Sequence, residues 1–161
     1  MGFFHPPELK VVQLDMENDK IKENNVQLIR GKMKLSLKVG DIITFERTFT
    51  AEDVELFSKV SGDEGAHHVT PDEQGRLVIQ GLLTATLPTK VGGDHNVLAR
   101  TMNFEFLRPV FTGDTIICEV TIEKYEKQDN NRISILATFL CSNQNEKQVL
   151  RGNFSGVILQ K

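Results

Sequence analysis

Between residues 79 and 90 the sequence leaves almost no polar helical face: Leu82, Leu83, Ala85 and Leu87 crowd the stretch, and Pro88 is placed to cut or bend it. A helix that is apolar nearly all round has to be covered by other structure. The cover is legible downstream. Residues 99–110 alternate through Met102, Phe104 and Phe106 until Arg108-Pro109 interrupts them, and residues 115–125, 133–141 and 149–159 follow as further strand-like runs. Gly113-Asp114, residues 128–131 and residues 143–146 separate these runs, which is the pattern of successive antiparallel strands joined by short turns. Bulky alternating strands need a second layer, and the apolar helix supplies it. The chain has 161 residues, enough for one domain with a sizeable core.

Upstream, residues 42–48 read as a further strand that leads into a helix. Thr50 is an N-cap, with Glu52 and Asp53 in the first turn where carboxylates suit the positive helix end. Val54, Phe57 and Val60 are expected to form its apolar stripe, and Ser61-Gly62 its end. Residues 1–38 carry no clear period. They are expected to be an N-terminal arm or an extra strand beside a main domain over residues 39–161. A net charge of −3 with both signs interspersed argues against a nucleic-acid surface, and no run is long enough for a membrane helix. The start lacks a secretory pattern, so the cytoplasm is the expected location by exclusion. Cys118 and Cys141 lie in apolar strand-like runs and are expected as buried free thiols, without metal-ligand spacing around them.

The chemistry is concentrated in a polar, aperiodic loop over residues 63–76. Asp63 and His68 offer a base, an acid and an orienting hydrogen bond, although such a pair equally suits a surface turn. Gln80-Gly81 stands where the chain enters the apolar helix, and the first N–H groups of a helix have no intrahelical acceptor. Glycine there permits close approach of a carbonyl to be polarised. Tight helix–sheet packing would also require it, and both readings stand together.

Three blocks then carry a resemblance: residues 49–63, residues 75–83 (Gly75-Arg76-Leu77-Val78-Ile79-Gln80-Gly81-Leu82-Leu83) and residues 106–115 (Phe106-Leu107-Arg108-Pro109-Val110-Phe111-Thr112-Gly113-Asp114-Thr115). In order and spacing they resemble the MaoC-like, (R)-specific enoyl-CoA hydratase family over about residues 35–160. The resemblance implies an α+β hotdog fold, a curled antiparallel sheet wrapped around a long central helix. It implies a homodimer or a dimer of dimers, and an acyl thioester of coenzyme A or acyl carrier protein as substrate, with no separate cofactor and no metal.

By position, Asp63 and His68 match the family's catalytic pair. Gly81 matches the glycine whose backbone N–H receives the thioester oxygen, while His67 and Gln80 stand behind the site. The implied reaction is reversible hydration of trans-2-enoyl thioesters to (R)-3-hydroxyacyl thioesters. Thioester hydrolysis and non-catalytic acyl binding are the alternatives. This sequence departs from the family at Gly65-Ala66, where Asn-Pro is usual, and at Gln80, where histidine is usual. The first change removes a dihedral restraint and a loop-pinning side chain; the second removes a titratable group.

Overall fold

The computed structural model describes residues 27–29, 32–34 and 37–159. Two short strands, β1 (Gln27–Ile29) and β2 (Lys32–Lys34), pair with each other as a separate antiparallel ladder. Most of the expected N-terminal arm lies outside the described residues.

Then come β3 (Ile42–Thr48), α1 (Ala51–Ser61), α2 (Ala66–Val69), α3 (Gly81–Thr84), α4 (Thr86–His95), β4 (Val97–Phe106), β5 (Thr115–Gln128), β6 (Arg132–Asn143) and β7 (Gln148–Leu159). The five longer strands form one antiparallel sheet in the order β3-β5-β6-β7-β4. Period-two alternation sends Ile116, Cys118, Val120 and Ile122 of β5 and Ile133, Ile135, Ala137, Phe139 and Cys141 of β6 to the same buried side. Full burial of each such isoleucine contributes about 1.5–3 kcal/mol. α4 packs on this side against β3, β4 and β5.

Cys118 and Cys141 are direct cross-strand partners, both buried and both free thiols. A hydrogen bond with Cys141, together with burial, holds the Cys118 thiol far above the ordinary thiol range. A thiol so held supplies no nucleophilic thiolate.

α1 begins with a full capping box: Thr50 accepts from the Asp53 N–H, and Asp53 accepts from the Thr50 N–H. It ends at Gly62 in the left-handed region, φ 74°. The expected stripe is corrected at Val60, which is 85% exposed, while Val54 and Ser58 are buried and Phe57 packs against the core. At about 100° per residue, position 60 lies well round the helix from 54, and position 58 lies close beside it.

The expected architecture, a curled sheet wrapped around a long central helix, is overturned. The sheet is open, with β3 and β4 as its edges, and among the described residues no helix is longer than the 11 residues of α1. The apolar stretch itself is split at Ala85 into α3 of 4 residues and α4 of 10. Pro88 explains the break: it has no N–H for the Thr84 carbonyl four positions back, and its ring crowds that carbonyl. The Thr86 hydroxyl donates instead to the Leu83 carbonyl at 2.6 Å, which closes the broken turn. α4 then runs on through Gly92-Gly93 to His95 and stops at Asn96, φ 55°.

Candidate active site

Gly62 turns the chain out of α1 and delivers Asp63 to the head of the polar loop. The Asp63 backbone is tied down twice. Its N–H donates to Ser61 Oγ (3.1 Å), and its carbonyl accepts from Ser58 Oγ (3.1 Å). Its carboxylate is left half exposed.

Four residues later α2, a single turn, carries both histidines. His68 N–H donates to the Gly65 carbonyl at 2.7 Å, and Val78 N–H donates to the His67 carbonyl at 3.0 Å, so α2 is held against the strand-like approach to α3. A β-carbon at position 65 would stand 3.0 Å from the His67 ring and 3.4 Å from that of His68. Glycine at this position therefore makes room for two closely set imidazoles, whose ring centres are 3.9 Å apart.

His68 is buried, and its Nδ1 lies 2.6 Å from the Val78 carbonyl oxygen. A carbonyl only accepts, so Nδ1 carries the hydrogen and the neutral ring presents a lone pair at Nε2. Nε2 stands 3.6 Å from Asp63 Oδ2. That is too long for a direct hydrogen bond. Lying side by side, the two atoms offer two acceptors to a molecule placed above them. His67 is exposed, and the imidazole that faces Asp63 belongs to His68.

Gln80 joins this pair to the start of α3. It is fully buried, and its Nε2 donates to Ser58 Oγ at 2.9 Å and approaches the carbonyls of Val54 and Asp63 at 3.4 Å. Three acceptors round one nitrogen fix which way the amide faces. Its Oε1 is left buried with no partner among the described residues. Ser58 was missed in the sequence, although its signal was there: four positions after Val54 it falls on the buried side of an amphipathic helix. Ser58→Ala removes the hydroxyl from both bonds and strands a buried amide. We expect a loss of about 1–3 kcal/mol, read as a lower urea midpoint at unchanged slope; an unmoved midpoint would show that the strut contributes nothing.

Gly81 follows directly as the first residue of α3. A β-carbon there would meet the Phe106 ring at 2.9 Å, so the packing reason for glycine is real. With four residues, α3 has little collective dipole, and any polarisation of a ligand here falls to the individual N–H. His67, His68, Gly81, Thr84, Phe106 and Arg108 help line one cavity of about 340 Å³. Asp63 does not form its wall but reaches it through His68. Arg108 is held at its rim, with Nη1 donating to the Gln148 carbonyl at 2.6 Å. Among the described residues, no three metal-ligating side chains stand together.

A family model described as the thioesterase superfamily matches residues 72–128. The fold is similar to that of an (R)-hydratase from A. caviae involved in PHA biosynthesis (TM-score 0.66, 24% identity, 78% of this chain and 98% of that one). It is also similar to a MaoC-like dehydratase from Rhodospirillum rubrum (TM-score 0.60, 17% identity, 78% and 94%). In sequence, a mitochondrial 3-hydroxyacyl-[acyl-carrier-protein] dehydratase of Arabidopsis thaliana is 27% identical over 133 residues, covering 78% of this chain and 80% of that protein.

These likenesses show the fold, which the chain shares with (R)-hydratase and MaoC-like dehydratase structures.

A second curated relative, the mitochondrial 3-hydroxyacyl-[acyl-carrier-protein] dehydratase FERN of Solanum lycopersicum, is 28% identical over 109 residues, or 63% of this chain and 66% of that one. Both relatives are named as mitochondrial, which overturns the cytoplasmic expectation. That expectation rested on exclusion, and exclusion from composition carries no address.

Proposed function

We propose that this MaoC-like protein catalyses the reversible hydration of trans-2-enoyl thioesters to (R)-3-hydroxyacyl thioesters, with Asp63 and His68 as its acid–base pair. The observation that carries this reading is the His68 ring. Its Nδ1–H is spent on the Val78 carbonyl, so a basic Nε2 is aimed at the space beside Asp63 Oδ2 and over the cavity that Gly81 helps to line. The names of the similar proteins, hydratases and dehydratases acting on 3-hydroxyacyl thioesters among them, support the same chemistry.

In the hydration direction one water donates its hydrogens to Asp63 Oδ2 and His68 Nε2. As its oxygen bonds to the β carbon, one proton passes to the pair. The π electrons move through the α carbon to the thioester oxygen, where the Gly81 N–H stabilises the enolate. The pair then returns a proton to the α carbon, and the carbonyl re-forms. Water has been added across the double bond, and the protein ends as it began. Dehydration retraces these steps. The carrier in this reading is coenzyme A or acyl carrier protein. A homodimer or dimer of dimers belongs to the same proposal, supported by the exposed apolar Leu98 on edge strand β4.

The thioesterase-superfamily match favours hydrolysis as the second reading, although residues 72–128 begin beyond both Asp63 and His68. One assay separates the two. With crotonyl-CoA the full chain is expected to remove the conjugated absorbance without releasing thiol. Thiol release would establish the hydrolase, and saturable binding with neither change would establish a binding subunit.

A further inference from the structure

The cross-sheet row Phe45, Cys118, Cys141, Leu150, Phe106 lies on one face of the sheet, each residue the register partner of the next. Its first four members are at most 6% exposed, whereas Phe106 is 51% exposed. On the interior face, then, one large ring is neither buried by α3 nor free of it. The ring lies against the Gly81 backbone, 2.9–3.2 Å from the point a β-carbon would occupy, and it forms part of the cavity wall. Behind it Phe104, two residues back on the same face, stacks at 6.2 Å and 22°, and Phe139 follows at 5.8 Å. The row of rings thus leads away from Gly81 into the sheet, with Phe106 at its head. The cavity, about 340 Å³, is near the lower end of the roughly 300–1,000 Å³ usual for small-molecule sites.

We infer that Phe106 is the specificity-determining residue for acyl length, its ring closing the cavity so that short acyl chains are preferred. The inference rests on the proposed placement of the thioester oxygen at Gly81. With that oxygen and the β carbon both fixed, the tail alone has freedom, and the space next to Gly81 on the interior face is filled by an aromatic ring. Smaller side chains at 106 extend the cavity along the flat of Phe104, an apolar surface suited to methylenes.

The test compares the wild-type chain, Phe106→Leu and Phe106→Ala on trans-2-enoyl-CoA thioesters of four, eight and twelve carbons. The eight-to-four ratio of kcat/KM is expected to rise about tenfold or more in Phe106→Ala, the scale at which pocket methylenes discriminate, with Phe106→Leu between. Calorimetric titration with butyryl-, octanoyl- and dodecanoyl-CoA reads the same preference without turnover. An inert wild-type chain that still shifts its binding preference in Phe106→Ala would remove the hydratase reading and leave the length filter standing. Unchanged length ratios in both variants, by kinetics or by binding where there is no turnover, would overturn the inference.

Discussion

Asp63→Asn should lower kcat/KM for crotonyl-CoA hydration by about 10²–10⁴-fold, the usual span of a positioned acid–base group, while leaving the fold intact. The carboxylate is half exposed, and its structural ties run through its backbone rather than its oxygens. The amide keeps the shape but turns one of the two acceptor oxygens into a donor, so the water proposed to bridge Oδ2 and Nε2 loses a hydrogen-bond acceptor. Stability should stay within about 0.5 kcal/mol, as for surface substitutions generally.

His68→Ala should cost activity on the same scale but also stability, because the Val78 carbonyl then loses its partner beneath a buried ring. Activities are therefore to be compared at a temperature where circular dichroism shows both variants folded. Full activity in both would remove Asp63 and His68 from the chemistry.

Gly152→Ala is expected to be the most damaging single methyl group in the sheet. Gly152 sits on β7 between Phe104 of β4 and Phe139 of β6. An added β-carbon would fall into the backbone carbonyl oxygen of Asn103 and come within 2.6 Å of the Phe139 ring. The ring is buried and the carbonyl belongs to the neighbouring strand, so β4 itself must shift. We expect a loss of more than about 4 kcal/mol, in the range reserved for overpacking and broken networks, measured as urea midpoint or as soluble yield. Gly93→Ala is the contrast. That position is exposed in α4, with nothing within 4 Å of an added β-carbon. It should be neutral or stabilise by about 0.5–1 kcal/mol. Equal behaviour of the two would mean that β4 can move away from β7 without cost.

Local signals carried most of what was legible in the sequence. The capping box at Thr50, the left-handed stop at Gly62 and the strand runs with their turns depend on neighbours a few residues away, and each is present where its pattern lies. A polar loop over residues 63–76 was expected, and the single turn of α2 lies within it. What failed depended on partners remote in sequence. A run of apolar residues reports burial but not continuity: Pro88 was read as a place to cut or bend the stretch, and the long central helix implied by the resemblance is instead divided at Ala85. Val60 looked like core by spacing of three, and only the true helical angle sends Ser58 inward instead. Gly152 has no local signature: what demands it is a carbonyl about fifty positions away. Phe106 alternates like its neighbours, and nothing in a period of two foretells that the edge of the sheet leaves it half uncovered.

The fully buried amide of Gln80 spans the gap between the loop that bears one carboxylate and the residue whose main chain begins α3. Such a brace makes the two ends of the pocket a single rigid gauge. A bound molecule held at one end is presented to the other at a set distance, and neither end is free to drift toward a ligand of the wrong span.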